Sequence, residues 1–389
     1  MSAKKASFYW PFLYLCSRYT NNQNKKLWTI IMIKKVCLST ALIVSATSLA
    51  QQNEIEFYLT SNSFTDIAPV LQIADDDWQQ GPQSDASMGF SQSRFGVAYK
   101  HQSLANFRWH IMQRVDYQLA TNPQTALGYY QEQNEIPLTT YDEYDVDIDL
   151  VGARNRGLGI EYQEQIGQLA VSIQVNYWQL NYLRRSTVSG AVSGKEDLQL
   201  LGNLEFEEFY TDNNFLKRPN NEGEWQTSGD GYSLDVAFTY KLSNSLLLHG
   251  EFVDLVNHFE ITGTGYTQAD INTKGSFVDN VGFSSFRPLL KGIEKEQSFE
   301  FDLNKQMQLG LDYAKGPFVY HLNTFKQGDK QFTQLGVSEG AWGLLIDPVN
   351  KVVDVKYQGE SIDWQLGLDQ FNPNDALAIR MGFSGKLAW

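Results

Sequence analysis

The sequence predicts an all-β fold, a single transmembrane antiparallel up-and-down β-barrel of about 14 strands, with a range of roughly 12 to 16. Three observations carry this prediction. Runs with a two-residue period recur along the chain, and short stretches rich in Gly, Asn, Asp or Pro separate them. The last such run, Leu377 to Trp389, is long enough to cross a bilayer as a tilted strand, which takes about 9 to 11 residues.

The closing stretch shows the alternation most clearly. Every second residue from Leu377 to Trp389 is apolar except Gly385, and the residues between them are small or charged. Successive side chains of a strand point to opposite faces, so one face of this strand is apolar and the other is not. The stretch also ends on an aromatic residue at the last position of the chain.

This stretch resembles the closing strand of Gram-negative outer-membrane β-barrels, whose terminal aromatic residue is part of what the assembly machinery reads. The resemblance is to a class of proteins and rests on Leu377–Trp389. It implies residence in the cell outer membrane, contact with outer-membrane lipid, and recognition of this strand by the barrel assembly machinery.

The same alternation predicts the other strands, because few segments show helical periodicity. Period-two runs lie at 55–59, 107–119, 144–150, 158–162, 169–177, 232–240, 246–252, 299–303, 307–313, 318–322, 342–346, 353–357 and 362–368. Short connections at 165–168, 242–245, 304–305 and 371–374 are predicted to be periplasmic turns. Long polar ones near 121–142, 183–197, 212–230 and 261–296 are predicted to be extracellular loops, an asymmetry typical of such barrels.

The first fifty residues are predicted to lie outside the fold. Met32 opens a basic segment that is followed by a short apolar run and a small-residue exit ending at Ala50, the pattern of a secretory signal peptide. Residues 1–31 are then interpreted as a misassigned upstream start, with an extended n-region as the alternative. The barrel domain is residues 51–389, in which 61–86 do not alternate and are predicted to be an N-terminal lid or a long loop.

Charge and cysteine content exclude some classes of protein. The chain has a formal net charge of −14, which argues against nucleic-acid binding because that function requires a basic surface. Both cysteines, Cys16 and Cys37, precede residue 51, so stability must come from sheet closure and burial instead of disulfides.

The face opposite the apolar one should line the barrel lumen. By this parity the predicted lumen-lining residues are Arg108, Arg114, Asp145, Asp147, Asp149, Glu251, Glu300, Asp302, Asp312, Arg380 and Lys386. Facing rows of acids and bases would select ions in a water-filled channel. A salt-bridged, plugged interior without flow is the alternative, and the sequence does not separate the two.

Neither catalysis nor a cofactor is predicted. The acidic clusters 75–77 and 142–149 lack the spacing of a calcium loop, so no metal site is assigned. No HExxH, GxSxG or phosphate-loop pattern occurs. His249 beside Glu251 is the nearest candidate for a lipid hydrolase at the barrel rim, which remains a remote alternative.

The leading functional hypothesis is a porin-like passive channel for small hydrophilic solutes. The alternative is a non-porin barrel, either a transporter of a hydrophobic ligand with a plug or an assembly or structural component of the outer membrane. The segment Gly229–Asp235 and the hairpin after it are similar to strands of fatty-acid-transporter-like barrels. This similarity covers about one hairpin, and the Asn-Pro-Ala sequence of that family near the mature N-terminus is absent.

Overall fold

A computed structural model describes residues 53–194, 200–212, 227–272, 276–278, 284–286 and 289–389. The predicted signal peptide at 32–50 and the upstream segment 1–31 lie outside the described residues. Among the described residues, no helix is both long and apolar enough to cross a membrane.

Strands make up most of the described chain. In order they are β1 Glu54–Thr65, β2 Met88–Lys100, β3 Phe107–Thr121, β4 Tyr144–Ile166, β5 Leu169–Gly194, β6 Leu200–Tyr210, β7 Ser228–Lys241, β8 Leu246–Asn272, β9 Ser276–Val278, β10 Ser284–Phe286, β11 Leu289–Phe301, β12 Gln306–Lys315, β13 Phe318–Gln327, β14 Lys330–Glu339, β15 Trp342–Asp347, β16 Val352–Gln358, β17 Ile362–Leu368 and β18 Ala378–Ala388. The α-helices are α1, Val70–Asp75, and α2, Pro123–Gln133, and two short 3-10 helices span Gln102–Leu104 and Pro373–Asp375.

The strands close into a barrel with 14 positions around its wall. β1 pairs antiparallel with both β2 and β18, which joins the two ends of the sheet. β6 and β7 follow one another in a single position between β5 and β8, because both pair with these two strands. β11 and β12 likewise share the position on the other side of β8. The predicted fold class and strand number are therefore confirmed.

One end of the barrel has short connections throughout. These are 101–106, 167–168, 242–245, 316–317, 340–341 and 359–361, and the described chain also begins and ends here, where Asn53 and Trp389 exchange two backbone hydrogen bonds of 3.1 Å. Two of the predicted short turns, 165–168 and 242–245, lie at this end. Two others were wrong, since 304–305 falls between β11 and β12 within one wall position and 371–374 lies at the opposite end.

Two predicted loops are largely strand. Most of 183–197 belongs to β5, and much of 261–296 belongs to β8 and β11. They were read as loops because polar residues dominate once these strands rise beyond the apolar part of the wall. The predicted loop 121–142 does contain a connection, which begins with α2, and most of 212–230 lies outside the described residues.

An apolar belt surrounds the barrel beside the short-turn end. Its side chains are exposed on the outer face, as expected for a wall in contact with lipid, and include Phe57, Trp109, Ile111, Leu158, Ile160, Ile173, Val175, Tyr240, Tyr320, Leu322, Leu335, Trp342, Leu344, Val353, Leu366 and Met381. Aromatic rings cluster near the short turns, with Tyr313 stacked on Tyr320 and Tyr357 on Trp364, each pair at a centroid distance of 6.5 Å. Such aromatic girdles mark the interfaces of membrane barrels.

The far end of the barrel has a stepped rim. β8 has 27 residues, whereas β15 to β17 have six or seven each.

The outer face of β3 and β4 changes from exposed to buried along the strands. The two strands pair without a register shift up to Thr121 and Ile148, so the same face can be followed along both. Lower down this outer face exposes Leu158. Above the belt it buries a packed apolar cluster of Val146, Ile148, Val188, Val192, Leu204, Phe206, Ala269 and Ile271.

Residues 66–87 form a cap together with α2. The amide oxygen of Asn122 caps α2 by accepting a hydrogen bond of 2.8 Å from the Thr125 N–H, which fixes where the helix begins. Six buried side chains then join the cap to the helix: Ile67, Ala68, Trp78, Ala86, Ala126 and Tyr129. Within the segment predicted to be a lid or loop, 61–65 belong to β1 and the rest belongs to this cap.

Candidate functional site

A network of buried ion pairs crosses the barrel interior. Arg94 on β2 lies 2.7 Å from an oxygen of Asp235 on β7 and 2.9 Å from an oxygen of Asp254 on β8. Arg114 on β3 donates to both carboxylate oxygens of Asp254, at 2.9 and 2.8 Å, and also binds Asp116 through Nε at 2.7 Å. Paired, hydrogen-bonded geometry of this kind is what allows charges to be buried.

Trp178 on β5 packs against this network. Its ring lies 5.1 Å from the Arg114 guanidinium carbon and 5.8 Å from that of Arg94, within the range of cation–π contacts. The indole N–H donates to Ser233 Oγ at 3.0 Å, so the one polar group of the ring is satisfied. Gly157 on β4 leaves room for the ring, because a Cβ at that position would lie 2.4 Å from a Trp178 carbon.

The network fills the part of the lumen that β2, β3, β5, β7 and β8 enclose. The side chains of Arg114 and Asp254 have no solvent exposure, and Trp178 has none either. A water-filled channel would wet such groups. The ion pairs and the indole ring therefore form an interior floor, which we name the charged floor: Arg94, Arg114, Asp116, Trp178, Asp235 and Asp254.

A ladder of aromatic rings climbs the inner face above the charged floor. Phe259 on β8 stacks with Phe301 on β11 at 5.3 Å, and Phe301 stacks with Phe299 at 5.7 Å. Phe299 stacks with Phe209 on β6 at 4.2 Å, and Phe209 packs with Tyr266 at 4.7 Å. These five rings, named the aromatic ladder, run from the floor to the extended rim.

The upper ring of the ladder is held in its neutral form. Burial and a 2.8 Å hydrogen bond from its hydroxyl to Glu207 raise the pKa of Tyr266 to about 12. The Lys295 ammonium lies 5.1 Å from the centre of this ring. The ladder therefore begins at a polar rim and becomes apolar toward the floor.

Aliphatic residues surround the lower part of the ladder. Alongside Phe259 and Trp178 the packed cluster contains Met112, Ala153, Leu180, Leu183, Ile261 and Leu303, with Tyr58, Val151, Phe299 and Phe301 packed against it. Leu303 belongs to the segment between β11 and β12, where its backbone exchanges two hydrogen bonds with the Asn257 side chain, at 2.6 and 3.0 Å. The interior of this half of the barrel is thus apolar as well as charged.

The opposite side of the interior is also filled near the rim. Arg380 on β18 lies 3.4 Å from Asp354 on β16, and its guanidinium carbon is 4.6 Å from the Phe332 ring centre. Phe332 packs with Phe64 and Phe90, which are on the first two strands. Ion pairs and rings therefore fill the space beneath the cap on this side.

The structure places most of the predicted lumen-lining residues on the inner face. Arg108, Arg114, Glu251, Asp312, Arg380 and Lys386 follow the inward alternation of their strands. Asp145, Asp147 and Asp149 follow it too, but on the part of β4 above the apolar belt, where Asp149 pairs with Arg185. These three line the entrance and not the membrane-spanning lumen.

The prediction for Glu300 and Asp302 was wrong. Their side chains are 67% and 69% exposed, and both lie beside His258 on the outer face. Phe299 and Phe301 point inward instead, as their register with Ile261 and Phe259 shows. The irregular segment 302–305 shifts the alternation between β11 and β12, so inward residues are odd-numbered in β11 and even-numbered in β12.

Several interior residues were missed by the sequence analysis. Arg94, Asp254 and Trp178 were not singled out, Phe209 and Phe259 were not assigned to a face, and Phe299 and Phe301 were assigned to the outer face. Glycines on the neighbouring strands could have indicated where large side chains point inward. Cβ atoms at Gly157 and Gly231 would lie 2.4 and 2.3 Å from the rings of Trp178 and Phe259, so each glycine marks a large inward side chain. Among the described residues, no group of three or more His, Cys, Asp or Glu is placed to hold a metal.

The closed sheet, the outer apolar belt and the aromatic girdles together decide the class. The chain is a β-barrel of the outer-membrane type. Solved barrels share the fold at very low identity. A TodX deletion mutant described as a monoaromatic hydrocarbon channel aligns with a TM-score of 0.40 and 10% identity, over 87% of this chain and 91% of that one. The P. putida toluene transporter TodX gives 0.38 and 10%, over 87% and 89%.

The translocator domain of the autotransporter NalP from Neisseria meningitidis shares the architecture as well. It aligns with a TM-score of 0.31 and 9% identity, over 94% of this chain and 96% of that one. No protein-family model and no curated protein matches the sequence. At these scores the similarity concerns the fold alone.

Proposed function

We propose that this barrel is a non-porin transporter that takes up an apolar or aromatic solute at the outer membrane. The observation that carries the proposal is the aromatic ladder, whose rings follow one another at 4.2 to 5.7 Å along the inner face. Binding sites for apolar molecules are lined by hydrophobic and aromatic side chains with few polar groups. A hydrophilic solute would gain little from such a lining.

The charged floor favours this proposal over a porin-like channel. Passive diffusion of hydrophilic solutes needs a continuous aqueous lumen, as in wide porin barrels. Here Arg114, Trp178 and Asp254 have no exposure, and Arg380 and Phe332 fill the far side. This filled interior supports the alternative drawn from the sequence, a barrel with a plugged lumen, in which the wall's own side chains would form the plug.

The proposed location is the cell outer membrane. Export would use the segment Met32 to Ala50, whose basic start and small-residue exit are typical of a signal peptide. The short-turn end would then face the periplasm, and the extended rim with the aromatic ladder would face outward. Solute would meet the rim first and partition onto the ladder.

Photolabelling of the refolded barrel tests the proposal. A phenyl-trifluoromethyl-diazirine is a photoreactive monoaromatic that marks both lipid-facing and interior residues, which mass spectrometry separates. We expect adducts on peptides that contain Phe299 and Phe301, and an excess of unlabelled alkylbenzene should suppress these while leaving the adducts on the outer belt. Replacing both phenylalanines by Ala should weaken this competition at least about fivefold, because each aromatic contact contributes about 0.5–1.5 kcal/mol.

Phe318→Ala is the matched control, because Phe318 lies on the exposed outer face of β13. Its interior adducts should remain at the native level. Adducts confined to the outer belt, or interior adducts that the alkylbenzene does not suppress, would contradict the proposal.

A further inference from the structure

We propose that the inner face of the barrel carries a serine hydrolase site near the short-turn end, with Ser338 as nucleophile, His321 as general base and Asp312 as the residue that orients the base. The three residues lie on neighbouring strands, β14, β13 and β12. Their side chains make one continuous chain of hydrogen bonds, which is the relation that nucleophilic catalysis by serine requires.

The distances match those roles. Ser338 Oγ lies 2.9 Å from His321 Nε2, and His321 Nδ1 lies 2.6 Å from Asp312 Oδ1. With the Nδ1 proton donated to the carboxylate, Nε2 is left as an acceptor for the serine hydroxyl. The His321 side chain is 6% exposed and that of Asp312 is 21% exposed, so the pair is shielded from bulk water.

The strand register explains why the three meet. Asp312 is directly opposite His321 in the β12–β13 pair, and His321 is opposite Gly336 in the β13–β14 pair, two residues before Ser338 on the same face. The glycine at 336 places no side chain between the imidazole and the serine. His249 on β8 lies 3.6 Å from the second oxygen of Asp312, which gives the carboxylate a further fixed contact.

Lys356 lies on the same inner face as Ser338, two strands away. Gly343 is opposite Ser338 on one side and opposite Lys356 on the other. The lysine stem crosses Gly343, since a Cβ there would lie 2.5 Å from Lys356 Cε. The ammonium is thereby carried toward Ser338, where it can stabilise an oxyanion that forms on a bound carbonyl.

The substrate class is a carboxylic ester small enough to enter from the short-turn end. Ser338 Oγ attacks the carbonyl carbon while its proton moves to His321 Nε2, and the carbonyl oxygen becomes an oxyanion beside Lys356. The ester bond then breaks, and the alkoxide leaves as an alcohol with the proton from His321. A water molecule then attacks the acyl-serine carbonyl in the same way, with His321 again accepting and returning the proton. This step releases the carboxylic acid and restores the serine.

The experiment uses the folded barrel 51–389 in detergent and a fluorescent fluorophosphonate probe, which reacts with activated serines. We expect one adduct, on Ser338, and its rate should fall at least about a hundredfold in His321→Ala because a positioned general base contributes about 10²–10⁴. Ser384→Ala is the control, since Ser384 also faces the lumen and bonds a carboxylate at 3.2 Å but has no histidine partner. Its labelling should equal that of the native barrel.

Two single-cysteine variants distinguish a side chain that is activated by the histidine from one that is only accessible to reagents. Residues 51–389 contain no cysteine, so Ser338→Cys and Ser384→Cys each carry a single thiol. Alkylation by iodoacetamide should be at least about tenfold faster at 338, and Asp312→Asn should remove that advantage because the base loses the carboxylate that fixes its tautomer and stabilises its imidazolium form. Any of three results would overturn the proposal. These are a native barrel that the fluorophosphonate does not label, labelling that survives Ser338→Ala, and equal alkylation rates at positions 338 and 384.

Discussion

Replacing Asp254 with Ala is expected to lower the free energy of unfolding by about 3–5 kcal/mol, because removal of one partner leaves buried charge uncompensated. Asp254 accepts from both Arg94 and Arg114, and its side chain has no exposure. Without it, two guanidinium groups face only Asp235 and Asp116 in a dry interior. A urea titration of the barrel refolded in detergent, followed by heat modifiability on a denaturing gel, measures the loss.

Glu300→Ala is the matched control for this substitution. It also removes a carboxylate, but one that is 67% exposed on the outer face, so its effect should stay within about 0.5 kcal/mol. A similar urea midpoint for both variants would mean that the charged floor is not buried as described.

Trp178→Ala is expected to cost a comparable amount, about 3–5 kcal/mol, as for other large aromatic residues truncated in a packed interior. The ring fills the space that Gly157 leaves and lies against both arginines of the floor. Its loss creates a cavity and strips the guanidinium groups of their aromatic contact. The same urea titration measures this change.

Trp109→Ala provides the comparison for the tryptophan. Trp109 is 44% exposed on the lipid-facing side of β3 and contacts no charge of the floor. We expect its truncation to shift the urea midpoint less than half as far as Trp178→Ala. An equal shift for the two would show that the interior ring is not more tightly packed than the belt.

Strand content and strand number could be predicted from the sequence for a plain physical reason. A lipid-facing wall needs an apolar residue at every second position, and this constraint repeats in most strands, as in Leu377–Trp389. The predicted number of about 14 strands follows from the length of the chain, because each strand with its connection takes a similar number of residues. The structure agrees, although β6 with β7 and β11 with β12 each fill one position in two pieces.

Strand faces were harder to predict where the interior is itself apolar. Around Phe299 and Phe301 the inner face of the barrel is apolar as well as the outer face. Alternation alone therefore assigned these two rings to the lipid-facing side. Only the register against Phe259 and Ile261 shows that these rings point inward. The irregular segment 302–305 adds to the difficulty, because inward residues are odd-numbered before it and even-numbered after it.

The charged floor could not be predicted because its pairs, apart from Arg114 with Asp116, are remote in sequence. Arg94 and Asp254 are separated by 160 residues, and their meeting depends on the closure and register of several strands between them. Asp254 also lies at an irregular point of β8, with a positive φ of 57°, which no alternation pattern reveals. The Ser338, His321 and Asp312 group is local in sequence, but it was not recognised because its contacts depend on the register of three strands.

Single-channel recording in planar bilayers tests the central claim most directly. The refolded native barrel should insert without producing the steady, ohmic conductance of an open aqueous pore, because the charged floor and the packing around Phe332 fill the lumen. Insertion itself is verified by protease protection and heat modifiability. Long-lived open channels of the native protein that conduct small ions would contradict the account and restore the porin-like interpretation.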